Sequence, residues 1–172
     1  MKQVLVNHKL SKMKVVLVAL DYDPTAQKIA EAGYSLAKAM NANIILLHVI
    51  SDPVYYSSLN YSPIMGFDGF NNIGTVQPEA VDELTKTAQR FLDESKKFLG
   101  DESIDTVVCS GEFADAILET AKRVHVDIIV LGTHSRRGLD KILVGSVAEK
   151  VLRHSLIPLF IVPTRSFEEN GK

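Results

Sequence analysis

At 172 residues, 46% hydrophobic and 23% charged, the chain suits one compact domain able to bury a real core, and its net charge of −2 argues against nucleic acid as a main partner. No stretch approaches the roughly 20 apolar residues of a membrane helix and no signal peptide is visible at the start, so the expected location is cytoplasmic. The single cysteine, Cys109, excludes an internal disulfide and any site built from several thiolates, and within TVVCSG it reads as a core residue rather than a nucleophile.

Apolar β-rich runs alternate with helical patterns along the chain. Val15 to Leu20 predicts a strand, and Asp23 with Pro24 then predicts a helix start, Pro at the first helical position, for a helix to about Met40. Its inner face is Ala26, Ile29, Ala30, Gly33, Leu36, Ala37 and Met40. Ile44 to Ile50 is a second strand. After a long loop, Val81, Leu84, Ala88, Phe91, Leu92, Ser95 and Phe98 recur at helical spacing. A third strand, Thr106 to Ser110, leads to a helix from about Phe113 to Val124. Ile128 to Leu131 is the fourth strand, Ser146 to about His154 a helix, and Leu159 to Val162 the last strand, set between Pro158 and Pro163.

The stretch between the fourth strand and the helix after it is IIVLGTHSRRGLDKILVGSVAEKV, residues 128 to 151. It joins a strand expected to be covered on both faces to a helix, through a glycine-punctuated loop carrying Arg136, Arg137 and Lys141. Gly132 is expected to allow a sharp backbone turn where a side chain would obstruct. Gly145 and Ser146 open a helix whose first amides point forward with the helix dipole behind them, a ready anion site. The same residues admit a second reading, because Ser146 followed by Glu149 is also a capping box that closes the helix without a ligand. The three cations favour the anion site.

Strands alternating with helices imply right-handed crossovers, and hence an α/β fold: a single doubly wound domain with a five-stranded parallel sheet of order 3-2-1-4-5 and helices on both faces. In such a sheet the ligand crevice lies beyond the carboxyl ends of the strands where the winding reverses, here between strands one and four. Asp21 follows one and Gly132 the other, so a carboxylate and the phosphate loop would face each other across one crevice. Other phosphate and catalytic devices are absent. LDYDPTA has no dinucleotide fingerprint, and Gly145 is followed by Ser rather than the Lys of a Walker loop. No HExxH and no serine nucleophile between two glycines occurs, and His8, His48, His125, His134 and His154 are scattered.

A strand ending in GTHSRRG and then GSVAEKVLRHSLIPLFIVP resembles the universal stress protein family, and the resemblance runs from about Met13 to Pro163, including the first strand ending in Asp21 and LLHVI in the second. The family's nucleotide-binding branch has Gly, two residues, Gly, nine residues, Gly and then Ser or Thr. Gly132, Gly145 and Ser146 match it, while Ser135 stands at the second glycine. If that position needs positive φ, serine costs of order 1 kcal/mol there, or its hydroxyl adds a donor to the phosphates. The resemblance implies that Asp21 and the backbone of Ala19 and Leu20 meet the nucleoside and that Val49 lines an adenine pocket. It further implies that Gly132, His134, Ser135, Arg136, Gly145, Ser146 and Val147 hold ribose and phosphates. The ligand implied is ATP, or ADP or AMP, with a divalent cation such as Mg2+, whose protein ligands the sequence does not assign. From the residues alone, Val49 reads as a core valine, and Asp21 admits a second reading as a helix-flanking acid.

Outside this account lie residues 51–78, a loop far longer than the usual four to six or so residues, whose Tyr55, Tyr56, Tyr61, Phe67 and Phe70 suggest a lid or contact surface. Residues 1–12 form an extension in which MKQVLV nearly repeats the MKVVLV that follows, 13–165 is the expected domain and 166–172 a polar tail. The last strand is an apolar sheet edge without charges, so a homodimer through Leu159 to Val162 is expected, and the resemblance points the same way. The reading is an ATP-binding regulatory protein of the stress response, with at most slow ATP hydrolysis since no general base is placed. Its rivals are a protein-interaction module with a vestigial anion site, open to an unidentified regulatory partner, and an enzyme of the wider nucleotide-binding superfamily.

Overall fold

The computed structural model describes residues 14–51, 81–133 and 145–164. Within them β1 (Lys14–Ala19), α1 (Ala26–Met40), β2 (Ala42–Ile50), α2 (Val81–Leu99), β3 (Asp105–Ser110), α3 (Phe113–Arg123), β4 (Ile128–Gly132), α4 (Ser146–His154) and β5 (Leu159–Val162) follow one another. The five strands form one sheet in the order β3-β2-β1-β4-β5. Every pairing is parallel, with Val18 opposite Leu46 on one side and Val130 on the other. This is the doubly wound sheet expected from the alternation of strands and helices. The extension 1–12, the stretch 52–80 and the tail 165–172 lie outside the described residues.

Side chains alternate across the sheet and sort the core into two layers. Val16, Val18, Ile44, Leu46 and Val130 face α1 and α2, where Ile29, Ala30, Ala37, Phe91 and Leu92 cover them. Leu17, Ile45, Leu47, Ile129 and Leu131 face the other way, against Ala114, Ile117 and Ala121 of α3 and Ala148 and Val151 of α4. Because both faces are covered, the inner strands carry continuous apolar runs, and all of residues 44–50 are buried.

Three local expectations are corrected. Asp23 and Pro24 do not begin α1, which starts at Ala26: the Asp23 carboxylate accepts from Thr25 N and Oγ1, and its carbonyl accepts from Ala26 N. The aspartate thus builds a turn ahead of the helix instead of capping it. The inner face of α2 stops short of Phe98, which is 43% exposed, so its apolar spacing runs one turn beyond the core. α3 ends at Arg123, and Val124 is its C-cap.

Gly33 brings α1 against the sheet. A Cβ there would lie 2.6 Å from Cγ2 and 3.1 Å from Cγ1 of Val18, a fully buried and rotationally stiff side chain. Alanine is the better helix former by about 1 kcal/mol, but the overpacking cost of roughly 1–3 kcal/mol works against it. Gly33→Ala is therefore expected to lower the urea midpoint, and a raised midpoint would mean that helix propensity outweighs the close packing.

Candidate functional site

β1 pairs with β2 on one side and with β4 on the other, so the chain leaving β1 and the chain leaving β4 set off to opposite faces of the sheet. Between them opens the crevice characteristic of a doubly wound sheet. Ala19 ends β1 half-buried on the layer covered by α3 and α4, and Val49, buried near the end of β2, belongs to the same layer. Asp21, just beyond β1, is exposed. The side chain of Leu20 is buried in the opposite layer. Its N–H donates to Leu47 O at 2.9 Å and its carbonyl accepts from His48 Nδ1 at 2.8 Å, so Leu20 serves the framework first.

A parallel crossover from β4 to β5 brings the N-terminus of α4 to the carboxyl end of the sheet. Gly145 is the N-cap, Ser146 is already helical, and among the described residues no side chain caps the first amides. The capping box does not form. Glu149 turns instead to Arg153, with Oε1 accepting from Nη2 at 2.7 Å and Nε at 3.1 Å. The amides at the start of α4 therefore have no side-chain acceptor from their own helix, the condition for holding an external anion. Gly145 has φ −56°, which any residue adopts, so what its glycine provides is the absence of a Cβ at the helix entrance. Val147 is half-buried and packs on the layer of Leu17 and Leu131.

Gly132 ends β4 opposite Val162, and its φ is not in the left-handed region, so positive φ is not what requires glycine there. The reason is packing. A Cβ there would collide with Ile29 of α1 and come within 3.0 Å of the Thr164 methyl. Thr133 follows, its N–H donating to Val162 O at 2.9 Å. Thr164 N donates to Thr133 Oγ1 at 3.2 Å, and Thr164 Oγ1 to Thr133 O at 2.8 Å. The expected contributors His134, Ser135 and Arg136, with Arg137 and Lys141, lie outside the described residues.

His48 was one of five scattered histidines in the sequence, yet it stands buried in the layer behind the crevice. Its ring lies 4.2 Å from that of Tyr22 and 5.6 Å from that of Phe91. Since Leu20 O can only accept, Nδ1 carries the hydrogen, and among the described residues no donor meets Nε2. Burial lowers the imidazole from 6.5 to about 4, against the smaller opposing effect of the bond to Leu20. His48, Thr133 and Thr164 are the residues that sequence reasoning passed over. The one available signal was a polar ring inside the apolar run LLHVI.

Among the described residues no group of three or more His, Cys, Asp or Glu side chains could hold a metal. Cys109 is half-buried, with its thiol pushed up by burial and receiving the Thr120 hydroxyl at 3.7 Å, the environment of a packing residue. No described helix is long and apolar enough to cross a membrane.

Fold and site together define a doubly wound α/β protein with an uncapped helix N-terminus at its topological switch point. The sequence profile of the universal stress protein family matches residues 12–163, and the chain belongs to that family. It is 30% identical over 157 residues to universal stress protein MJ0577 of Methanocaldococcus jannaschii, covering 89% of this chain and 96% of the relative. Universal stress protein YxiE of Bacillus subtilis is 30% identical over 153 residues, covering 86% and 97%. The solved structure of MJ0577 superposes with a TM-score of 0.64 at 26% identity, covering 91% of this chain and 99% of that one. A universal stress protein in complex with cAMP shares the fold, with a TM-score of 0.59 at 21% identity, over 90% and 100% of the two chains.

The buried neutral imidazole makes stability depend on acid. Its folded-state pKa of about 4 lies below the ordinary 6.5, so its contribution is complete above about 6.5 and is lost as pH falls toward 4. The loss amounts to about 3 kcal/mol across that window. Urea midpoints from pH 7 to 4.5 are expected to fall more steeply for the wild type than for His48→Gln, and parallel profiles would show that His48 is not the responsible group.

Proposed function

We propose that the chain binds an adenine nucleotide, ATP in the first instance with ADP and AMP as alternatives, and acts as a regulator in the stress response. The observation that carries this reading is the N-terminus of α4, without a side-chain cap among the described residues, at the end of the sheet where Asp21 stands exposed just beyond β1. The amides of Ser146 and Val147, with Gly145 leaving their approach open, suit phosphate. His134, Ser135, Arg136 and the backbone after Gly132 would add donors and positive charge. Ala19, Leu20 and Val49 would border the nucleoside. A cAMP complex of a universal stress protein with this fold supports an adenine nucleotide as the ligand.

A carboxylate beside phosphates repels them unless a cation stands between, so Asp21 suits a Mg2+ held mainly by the phosphates. Mg2+ there would neutralise phosphate charge. As the sequence carries no recognisable motif that places a general base, the reading is of binding and signalling, with slow hydrolysis at most. A cytoplasmic location fits the single cysteine.

A homodimer through β5 belongs to the same reading. Phe160 on this edge strand is 40% exposed, and Leu156 just before it is fully exposed. Pro158 and Pro163 confine any pairing to the stretch between them. Such an apolar edge is covered most economically by a two-fold related copy of itself.

Calorimetry with ATP and Mg2+ tests the site: Gly145→Val with Arg136→Ala should weaken binding by at least about tenfold with circular dichroism unchanged, and unaltered affinity would sink the assignment. Sedimentation equilibrium tests the dimer. The wild type should sediment as two chains at micromolar concentration and Phe160→Lys as one, whereas a monomeric wild type would remove the edge argument.

A further inference from the structure

Two threonines 31 residues apart are bonded to each other at the carboxyl ends of β4 and β5. After Gly132 pairs with Val162, the parallel ladder makes one further bond, from Thr133 N to Val162 O. The next bond in such a ladder would run from Thr164 N to Thr133 O. It is replaced by two bonds through hydroxyls: Thr164 N donates to Thr133 Oγ1 at 3.2 Å, while Thr133 O accepts from Thr164 Oγ1 at 2.8 Å. The two backbones are thus kept in register at a spacing wide enough for a hydroxyl on each path. Pro163, between Val162 and Thr164, has no N–H of its own to bring to the sheet. The Thr164 methyl also occupies the space against Gly132, 3.0 Å from where a Cβ would stand. One side chain therefore fixes both residues that close β4.

We propose that Thr164 is a positioning residue for the crevice between β1 and β4: it fixes Gly132 and Thr133 at the end of β4, on the side of the sheet where α4 begins, and so sets affinity for the phosphates. The inference rests on the nucleotide reading and extends it to a residue with no expected contact to the ligand. Each hydroxyl bond is modest by itself. Together they determine which way the Thr133 carbonyl points, and a carbonyl released to turn into the crevice would repel a phosphate there.

The test compares ATP with adenosine, both by calorimetry in Mg2+, on the full chain. Thr164→Val keeps the shape and removes the hydroxyl. It is expected to weaken ATP about tenfold while leaving adenosine within about twofold, and Thr164→Ser, which restores the donor, should return ATP to within about threefold of wild type. Thr133→Val, which removes the other hydroxyl, should show the same ATP-against-adenosine split and serves should Thr164→Val fail to fold. Equal loss for ATP and adenosine, an unchanged ATP affinity, or a serine variant as weak as the valine one overturns the positioning role. A wild type that binds neither ATP nor adenosine overturns the nucleotide reading itself, and is distinguishable because no variant is needed to see it.

Discussion

β1 is hydrogen-bonded along both of its edges, to β2 and to β4, and the rest of the molecule depends on that double pairing. A strand paired on both sides and covered on both faces must be apolar throughout, as Val16, Leu17 and Val18 are, each with no exposed surface. Because successive crossovers keep one hand, placing β1 in the middle sends α1 and α2 to one face and α3 and α4 to the other. The chain then leaves β1 and β4 in opposite directions. The crevice is a consequence of that divergence, and no residue has to be spent on making it.

What the crevice offers is set by helix electrostatics. α4 arrives with its N-terminus at the carboxyl end of the sheet and, among the described residues, with no side chain folded back over its amides. Glu149, the one acid in its first turn, is engaged by Arg153 one turn further on. Unpaired amides seek water or an anion, and the helix dipole favours the anion. Asp21, just beyond β1, is exposed at the same end of the sheet.

The strands that border the crevice end in a similar way. At the end of β1 the Leu20 carbonyl accepts from the ring of His48 on β2, and at the end of β4 the Thr133 carbonyl accepts from the hydroxyl of Thr164 beyond β5. In each case a side chain from the neighbouring strand meets a carbonyl where the chain leaves the sheet. A carbonyl held in this way cannot swing toward an incoming anion, which it would repel, and the backbone that follows starts from a defined direction. The histidine does this at a cost: the other ring nitrogen is buried with no donor among the described residues. Its neutrality, and with it part of the stability of the fold, is therefore tied to pH.

The five strands, the alternation with helices and the strand order were legible in the sequence because short β-branched runs bounded by glycine, proline and polar residues have few alternatives once right-handed crossovers are required. The position of Asp21, Gly132 and Gly145 near one crevice followed from the same rule. Local chemistry was less decisive. Ser146 and Glu149 have the spacing of a capping box, but the box needs Ser146 outside the helix, and the helix begins on it. Asp23 reads as a helix start, yet its carboxylate bonds Thr25 two residues on and delays α1 to Ala26. Gly132 reads as a turn glycine, but it is a glycine because Ile29 and Thr164 press on it from α1 and from beyond β5. Such facts join residues far apart in the chain, as do the bonds of His48 to Leu20 and of Thr133 to Thr164. The sequence by itself determined the periodicities, and through them the elements and their order, because those depend on neighbours a few residues away. Only the tertiary structure decided which glycine makes room for which side chain, which histidine is buried and which hydroxyl completes the ladder, because each depends on a partner that folding alone brings within reach.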